Sequence, residues 1–240
     1  MKRALVFSSG GIFGAWQAGV WHGLASELEW APELVVGASV GSLNGYAIAG
    51  GATPEELCAF WMEPSVGRFR HLPETIRALM ERYPLRVDYA LTMTDMALMK
   101  PKIVRGDDVT WRHLAASCAI PGLLPLRRIG GRWYGDGGLL NPLPVWAAVE
   151  LGATEIIGVH ALPEIPSSVL KPFVSGFRRV FGHHPPVPSG VRLVTIEPQG
   201  PLGSLVAALN WKRENVEKWI SEGFAQGQAV AKNISIQNCF

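Results

Sequence analysis

Apolar positions along the chain fall into two kinds of pattern, short unbroken runs and helically spaced stripes. Ala4–Phe7 is an uninterrupted apolar run, the signature of a short strand covered on both faces of a parallel sheet. Ser8-Ser9-Gly10-Gly11 breaks it as a loop. Phe13, Trp16, Val20, Leu24 and Leu28 then recur at three- and four-residue spacing, which predicts a helix with one buried face. Leu34-Val35-Val36 is a second apolar run and completes a β-α-β unit, whose crossover is expected to be right-handed. Val40–Ala49 continues as a helix. Thr53-Pro54-Glu55-Glu56 reads as a helix start, with Thr53 as N-cap, Pro54 in the first turn and Glu56 at the capping-box position.

Further along, the pattern predicts a helix over 73–83, strands over 87–92 and 97–104, and a helix over 109–117. Leu126–Ile129 and Arg132–Tyr134, joined by Gly130-Gly131, form an expected tight hairpin. Val145–Leu151, closed by Gly152, reads as a helix, Glu155–Ala161 and Val191–Ile196 as strands, and Asn215–Ala231 as a C-terminal helix. Strands alternating with helices predict an α/β fold. The 240 residues are enough for one domain over 1–240, with a core at 4–160, a flap or interfacial segment at 163–190 and a closing strand and helix at 191–240.

Composition narrows the function classes. With 48 % hydrophobic and 18 % charged residues and a net charge of +2, the chain is a packed globular protein without the basic footprint of a nucleic-acid binder. Cys58, Cys118 and Cys239 lack C-x-x-C spacing, which argues against a zinc site or a disulfide framework and fits a reducing, cytoplasmic setting. Lys2 and Arg3 precede too short an apolar run for a signal peptide. Leu34–Pro54 is free of charge and has the length of a membrane span, with Gly41 and Gly45 at small-xxx-small spacing. Its five glycines and its Ser39, Ser42, Asn44 and Thr53 favour a buried strand and helix instead.

The chemistry centres on Gly37-Ala38-Ser39-Val40-Gly41, a G-x-S-x-G pentapeptide between a predicted strand and a predicted helix. A serine at such a turn presents its hydroxyl, and the helix N-terminus beyond it offers donors to an oxyanion. Loops leaving the carboxyl ends of adjacent parallel strands converge on one edge, so the backbone N–H groups of Gly10, Gly11 and Val40 are the expected oxyanion hole. Ser9–Gly14 is also a near miss to G-x-G-x-x-G, but the acidic residue that a dinucleotide site requires after the second strand is replaced by Gly37-Ala38-Ser39. Two bases stand open for Ser39. His160, near the end of a late strand, suits a triad in the order Ser, Asp, His, although too few strands precede Ser39 for the α/β-hydrolase arrangement. Asp136, on the turn Asp136-Gly137-Gly138, is the other, where a plain structural turn is the competing reading.

Four segments together resemble the patatin-like phospholipases in order and spacing: Ser9–Gly14, Gly37–Gly41, Ala116–Pro125 and Asp136–Gly138, the last followed by Asn141-Pro142-Leu143-Pro144. The resemblance covers roughly residues 4–160. It implies a three-layer α/β/α fold with a mainly parallel central sheet, and a Ser–Asp dyad that hydrolyses lipid acyl esters without metal or cofactor. It further implies Ser39 as nucleophile, Asp136 as its base and the Gly10–Gly11 loop as oxyanion hole. The chain departs from the family's G-G-G-x-[KR]-G loop at Ser9 and at Phe13, which replaces the basic residue. The implied partner is a lipid or acyl ester. In a final stripe, Val169, Leu170, Phe173, Val174, Phe177, Val180 and Phe181 share one helical face and Lys171, Arg178 and Arg179 the other, the pattern of a helix in peripheral contact with a membrane.

Overall fold

A computed structural model describes residues 1–164 and 170–237. Val169 of the predicted stripe, and Cys239, lie outside the described residues. The elements run β1 (Arg3–Phe7), α1 (Gly14–Glu27), β2 (Leu34–Ala38), α2 (Val40–Ala49), α3 (Pro54–Met62), α4 (Leu72–Arg82), β3 (Asp88–Asp95), β4 (Lys100–Arg105), α5 (Trp111–Ser117), β5 (Arg127–Ile129), β6 (Arg132–Gly135), α6 (Val145–Glu150), β7 (Glu155–Val159), α7 (Leu170–Phe181), β8 (Arg192–Ile196), α8 (Leu205–Leu209) and α9 (Arg213–Gln237).

One eight-stranded sheet organises them, in the order β5-β6-β3-β2-β1-β7-β8, with β4 also paired to β3. The centre is parallel: β1 pairs with β2 and β7, β2 with β3, and β7 with β8. Antiparallel strands extend it at the β3 end. Because strand side chains alternate between faces, the unbroken apolar run of β1 serves two cores. Leu5 and Phe7 join the larger one beneath α1 to α5, while Ala4 and Val6 pack with Val145, Ala147 and Ala148 of α6. Helices therefore cover both faces, giving three layers.

The expected capping box forms at Thr53: its Oγ1 accepts the Glu56 N–H, and Glu56 Oε2 accepts the Thr53 N–H. Gly130 and Gly131, both at positive φ, make the β5–β6 turn. The charge-free stretch Leu34–Pro54 is β2 and the buried helix α2. Among the described residues no helix is long and apolar enough to cross a membrane.

Four glycines build a contact that periodicity alone does not reveal. A Cβ on Gly19 or Gly23 of α1 would stand 2.2 or 2.1 Å from the carbonyl oxygens of Ile220 or Phe224 in α9. A Cβ on Gly223 or Gly227 of α9 would meet the carbonyls of Trp16 or Val20 just as closely. The two helices thus lie backbone to backbone, and α9 runs longer than predicted along this seam.

Candidate active site

Ser39 follows β2 with φ +55° and ψ −130°, a backbone region that a residue with a side chain rarely adopts. The glycines around it have a different task from the one their motif suggests. Neither Gly37 nor Gly41 has a left-handed φ; instead a Cβ on Gly37 would sit 2.2 Å from the Gly41 carbonyl, and one on Gly41 2.5 Å from the Ser8 carbonyl. They let the first turn of α2 press against β1 and β2, while Ser39 itself carries the strain.

Strand β3 brings the Asp136 loop to the same place. Strand β4 occupies one edge of β3 from Ala90 to Asp95, so β2 and β6 share the other. Strand β2 ends with Ala38 opposite Thr92, and β6 ends with Gly135 opposite Thr94. The residues that follow, Ser39 and Asp136, therefore leave from adjoining points on one edge and line a common cavity of about 600 Å³. Both are buried, Ser39 to 2 % exposure and Asp136 to 6 %.

The loop of Asp136 is tied on several sides. Its N–H donates to the Ala119 carbonyl, and its own carbonyl accepts from Thr94 Oγ1 at 2.8 Å. Within the side chain, Oδ1 accepts the Gly138 N–H at 2.8 Å, and Oδ2 has no hydrogen-bond partner among the described residues. Burial pushes the carboxyl up to about 6, against the lowering influence of the Ser39 side chain, the Gly138 N–H and the Arg178 charge. Ser117 joins the two halves of the site. Its Oγ accepts the Ser39 N–H at 2.9 Å and donates to the Thr92 carbonyl at 2.8 Å.

Gly10 and Gly11 line the same cavity, and Val40 lines a narrow apolar cleft on the other side of Ser39. Among the described residues the N–H groups of Gly10, Gly11 and Val40 donate to no protein acceptor. Gly11 has φ +59°, and a Cβ there would collide with the Ala208 carbonyl of α8. A buried polar chain supports this loop from below. Trp61 Nε1 donates to Asn44, Asn44 to Gln17 and the Gly14 carbonyl, and Gln17 to the Ser8 carbonyl.

His160 is not among the residues lining the cavity. It lies just past β7 with Nδ1 3.3 Å from a Glu197 oxygen, and burial holds the imidazole below its ordinary range. Helix α7 corrects one expectation from the sequence. Arg178 does not sit on a solvent face opposite the apolar stripe, because Val174 and Arg178, like Phe173 and Phe177, are spaced four apart and turn toward the cavity together. Its Nη2 donates to the Gly138 carbonyl at 3.1 Å and its Nε to that of Leu139 at 3.4 Å. The functional reading of the sequence also passed over Ser117, although it falls inside the Ala116–Pro125 segment, and Thr94, which no motif flags.

A three-layer α/β/α chain with a strained serine and a buried carboxyl facing one apolar cavity belongs to a narrow class of proteins. The family model of the patatin-like phospholipases matches residues 5–105 and 98–149, and the chain belongs to that family. Membership carries the coarse activity, lipid acyl hydrolysis. Among solved structures, VipD from Legionella pneumophila is similar over 97 % of this chain and 67 % of its own, with a TM-score of 0.59 and 13 % identity, a likeness of fold. The type III effector protein ExoU aligns over 96 % of this chain and 52 % of its own, with a TM-score of 0.47 and 11 % identity. No curated protein matches.

Proposed function

We propose that this chain is a serine esterase that cleaves fatty-acyl ester bonds of lipids through Ser39 and Asp136. The observation that supports this reading is that the two residues follow adjoining strand ends and line one apolar cavity. Ionised Asp136 removes the proton from Ser39 Oγ as that oxygen attacks the ester carbonyl. The resulting oxyanion is received by the N–H groups of Gly10, Gly11 and Val40. Protonated Asp136 then gives its proton to the departing alcohol as the carbon–oxygen bond breaks. Water, deprotonated by the same carboxylate, releases the fatty acid from the acyl-enzyme. A carboxyl raised to about 6 is a better match to the serine than an ordinary aspartate, yet ionised at neutral pH.

The size and apolar lining of the cavity favour a long acyl chain over a short-chain ester. Peripheral contact with a membrane belongs to the same reading. Phe173 and Val180 of α7 are each 73 % exposed, Phe181 is exposed too, and Leu123 and Val206 stand bare on neighbouring segments.

A fluorophosphonate probe tests the chemistry. The expected result is a covalent adduct mapped to Ser39, lost in Ser39→Ala and abolished or greatly slowed in Asp136→Asn. An intact mass without adduct would make the chain a non-catalytic acyl-binding protein. For the membrane contact, co-sedimentation with lipid vesicles should drop in a Val180→Asp/Phe181→Asp variant; undiminished binding removes α7 from the interface.

A further inference from the structure

Helix α7 places one cation in an otherwise apolar part of the cavity wall. Asp136 and Arg178 are the charged side chains that line it, surrounded by residues such as Ile120, Leu139, Leu162 and Phe177. Among the described residues Arg178 forms no salt bridge with a carboxylate. It uses two of its N–H groups, on the neutral carbonyls of Gly138 and Leu139. A guanidinium has five such donors in a planar fork, so among the described residues Nη1 and the second hydrogen of Nη2 meet no acceptor. Drawing a guanidinium partly out of water with no carboxylate in contact is costly. Its environment shows that cost, since burial lowers the Arg178 pKa and the Asp136 charge only partly offsets it.

Tethering α7 to the loop does not account for this residue by itself, because a neutral donor would serve two carbonyls without drawing a charge partly out of water. We propose that Arg178 forms an anion subsite beside Ser39 that receives the phosphate of a glycerophospholipid substrate through the free side of its guanidinium fork. The claim rests on the ester-hydrolase reading above and deepens it. Two features fit. The two carbonyl bonds fix the plane of the fork next to the Asp136-Gly137-Gly138 turn, so the charge is preorganised. In a glycerophospholipid the phosphate lies only a few bonds from the scissile ester, and Ser39 and Arg178 line one cavity that a single molecule would occupy. A neutral glyceride brings the cation no counter-charge of its own. Arg178 also lies beyond the span matched by the family model, which ends at residue 149, so this subsite is a property of the chain's C-terminal third.

Binding, rather than turnover, separates this inference from the proposed catalysis. Two non-hydrolysable ligands differing by one group, 1-O-hexadecyl-glycerol 3-phosphate and 1-O-hexadecyl-glycerol, are titrated into the full chain by calorimetry below their micellar concentrations. The phosphate ligand is expected to bind at least tenfold more tightly to the wild type. In Arg178→Gln that preference should collapse to within twofold, and Arg178→Lys, which keeps the charge but not the fork, should retain an intermediate preference. Equal affinity of the wild type for both ligands overturns the proposal. So does a preference that survives in Arg178→Gln, or a variant that weakens both ligands by the same factor, the mark of a tether alone. If Arg178→Gln does not fold, wild type and Arg178→Lys decide. Labelling of Ser39 is scored separately, so loss of catalysis and loss of the anion subsite are distinct outcomes.

Discussion

Ser117 Oγ holds the backbone N–H of Ser39 at 2.9 Å, so the strained residue of the site is pinned by a side chain seventy-eight positions away. The same oxygen donates to the Thr92 carbonyl, tying Ser39 to the strand that also supports Asp136. Replacing Ser117 by Ala leaves a buried N–H and a buried carbonyl without their partner, which costs about 1–3 kcal/mol. Ser117→Ala should lower stability by that amount in urea denaturation and reduce kcat about tenfold with little change in KM. A KM effect without a kcat effect would mean that Ser117 does not position the serine.

Activity should titrate with Asp136. In the proposed mechanism the base is ionised Asp136, and its carboxyl is raised to about 6. In the free enzyme kcat/KM is therefore expected to rise tenfold per pH unit up to about pH 6 and to level off above it. His160→Ala should keep most of the activity and the same midpoint, because that imidazole faces Glu197. A midpoint near 7 that disappears in His160→Ala would return the histidine to the mechanism.

The same carboxyl makes a stability prediction of definite sign. Its folded pKa lies above the ordinary value of 3.8, so its contribution to stability is fully present below the unfolded value and is lost as pH rises through about 6. The gap is worth up to ~3 kcal/mol. Asp136→Asn removes the buried charge and should unfold at higher urea than the wild type at pH 8, with the advantage shrinking toward pH 4. Equal midpoints at both pH values would show that the carboxyl is not perturbed by burial.

The glycine seam between α1 and α9 is tested by a residue that normally helps helices. Alanine in place of an exposed helical glycine gains about 1 kcal/mol. At Gly23 the added methyl meets the Phe224 carbonyl at 2.1 Å and the Gln228 nitrogen at 2.7 Å. Gly23→Ala should therefore destabilise the chain, by about 3 kcal/mol in chemical denaturation. Any gain in stability would mean that the helices are free to move apart.

Local chemistry made much of the fold legible. The run Ala4–Phe7, the stripe from Phe13 and the Thr53 box each specify their element through neighbours a few residues away. Strand β3 was harder. Its last residues, Thr94 and Asp95, pair on one edge with Pro101 and Lys100 of the neighbouring β4 and on the other with Gly135 and Tyr134, and the second relationship lies outside any short window of sequence. Helix α8 escaped notice because it is five residues long, with Ser204 as its cap. Ser39, Asp136 and the glycine loop stand out by motif, and the four-block resemblance joined them. Arg178 did not stand out as part of the cavity. On a helical wheel it belongs with Lys171 and Arg179, and only the carbonyls of Gly138 and Leu139, brought in by the sheet, turn it inward.

The seam of glycines gives the tail of the chain a stake in events at its head. Helix α1 begins at Gly14, directly beyond the Gly10–Gly11 loop, and its flank rests on α9. Damage inflicted near residue 223 or 227 is therefore expected to disturb α1, and through it the Gly10–Gly11 loop that precedes it. Trimming or loosening the last helix should blunt turnover well before it unravels the sheet.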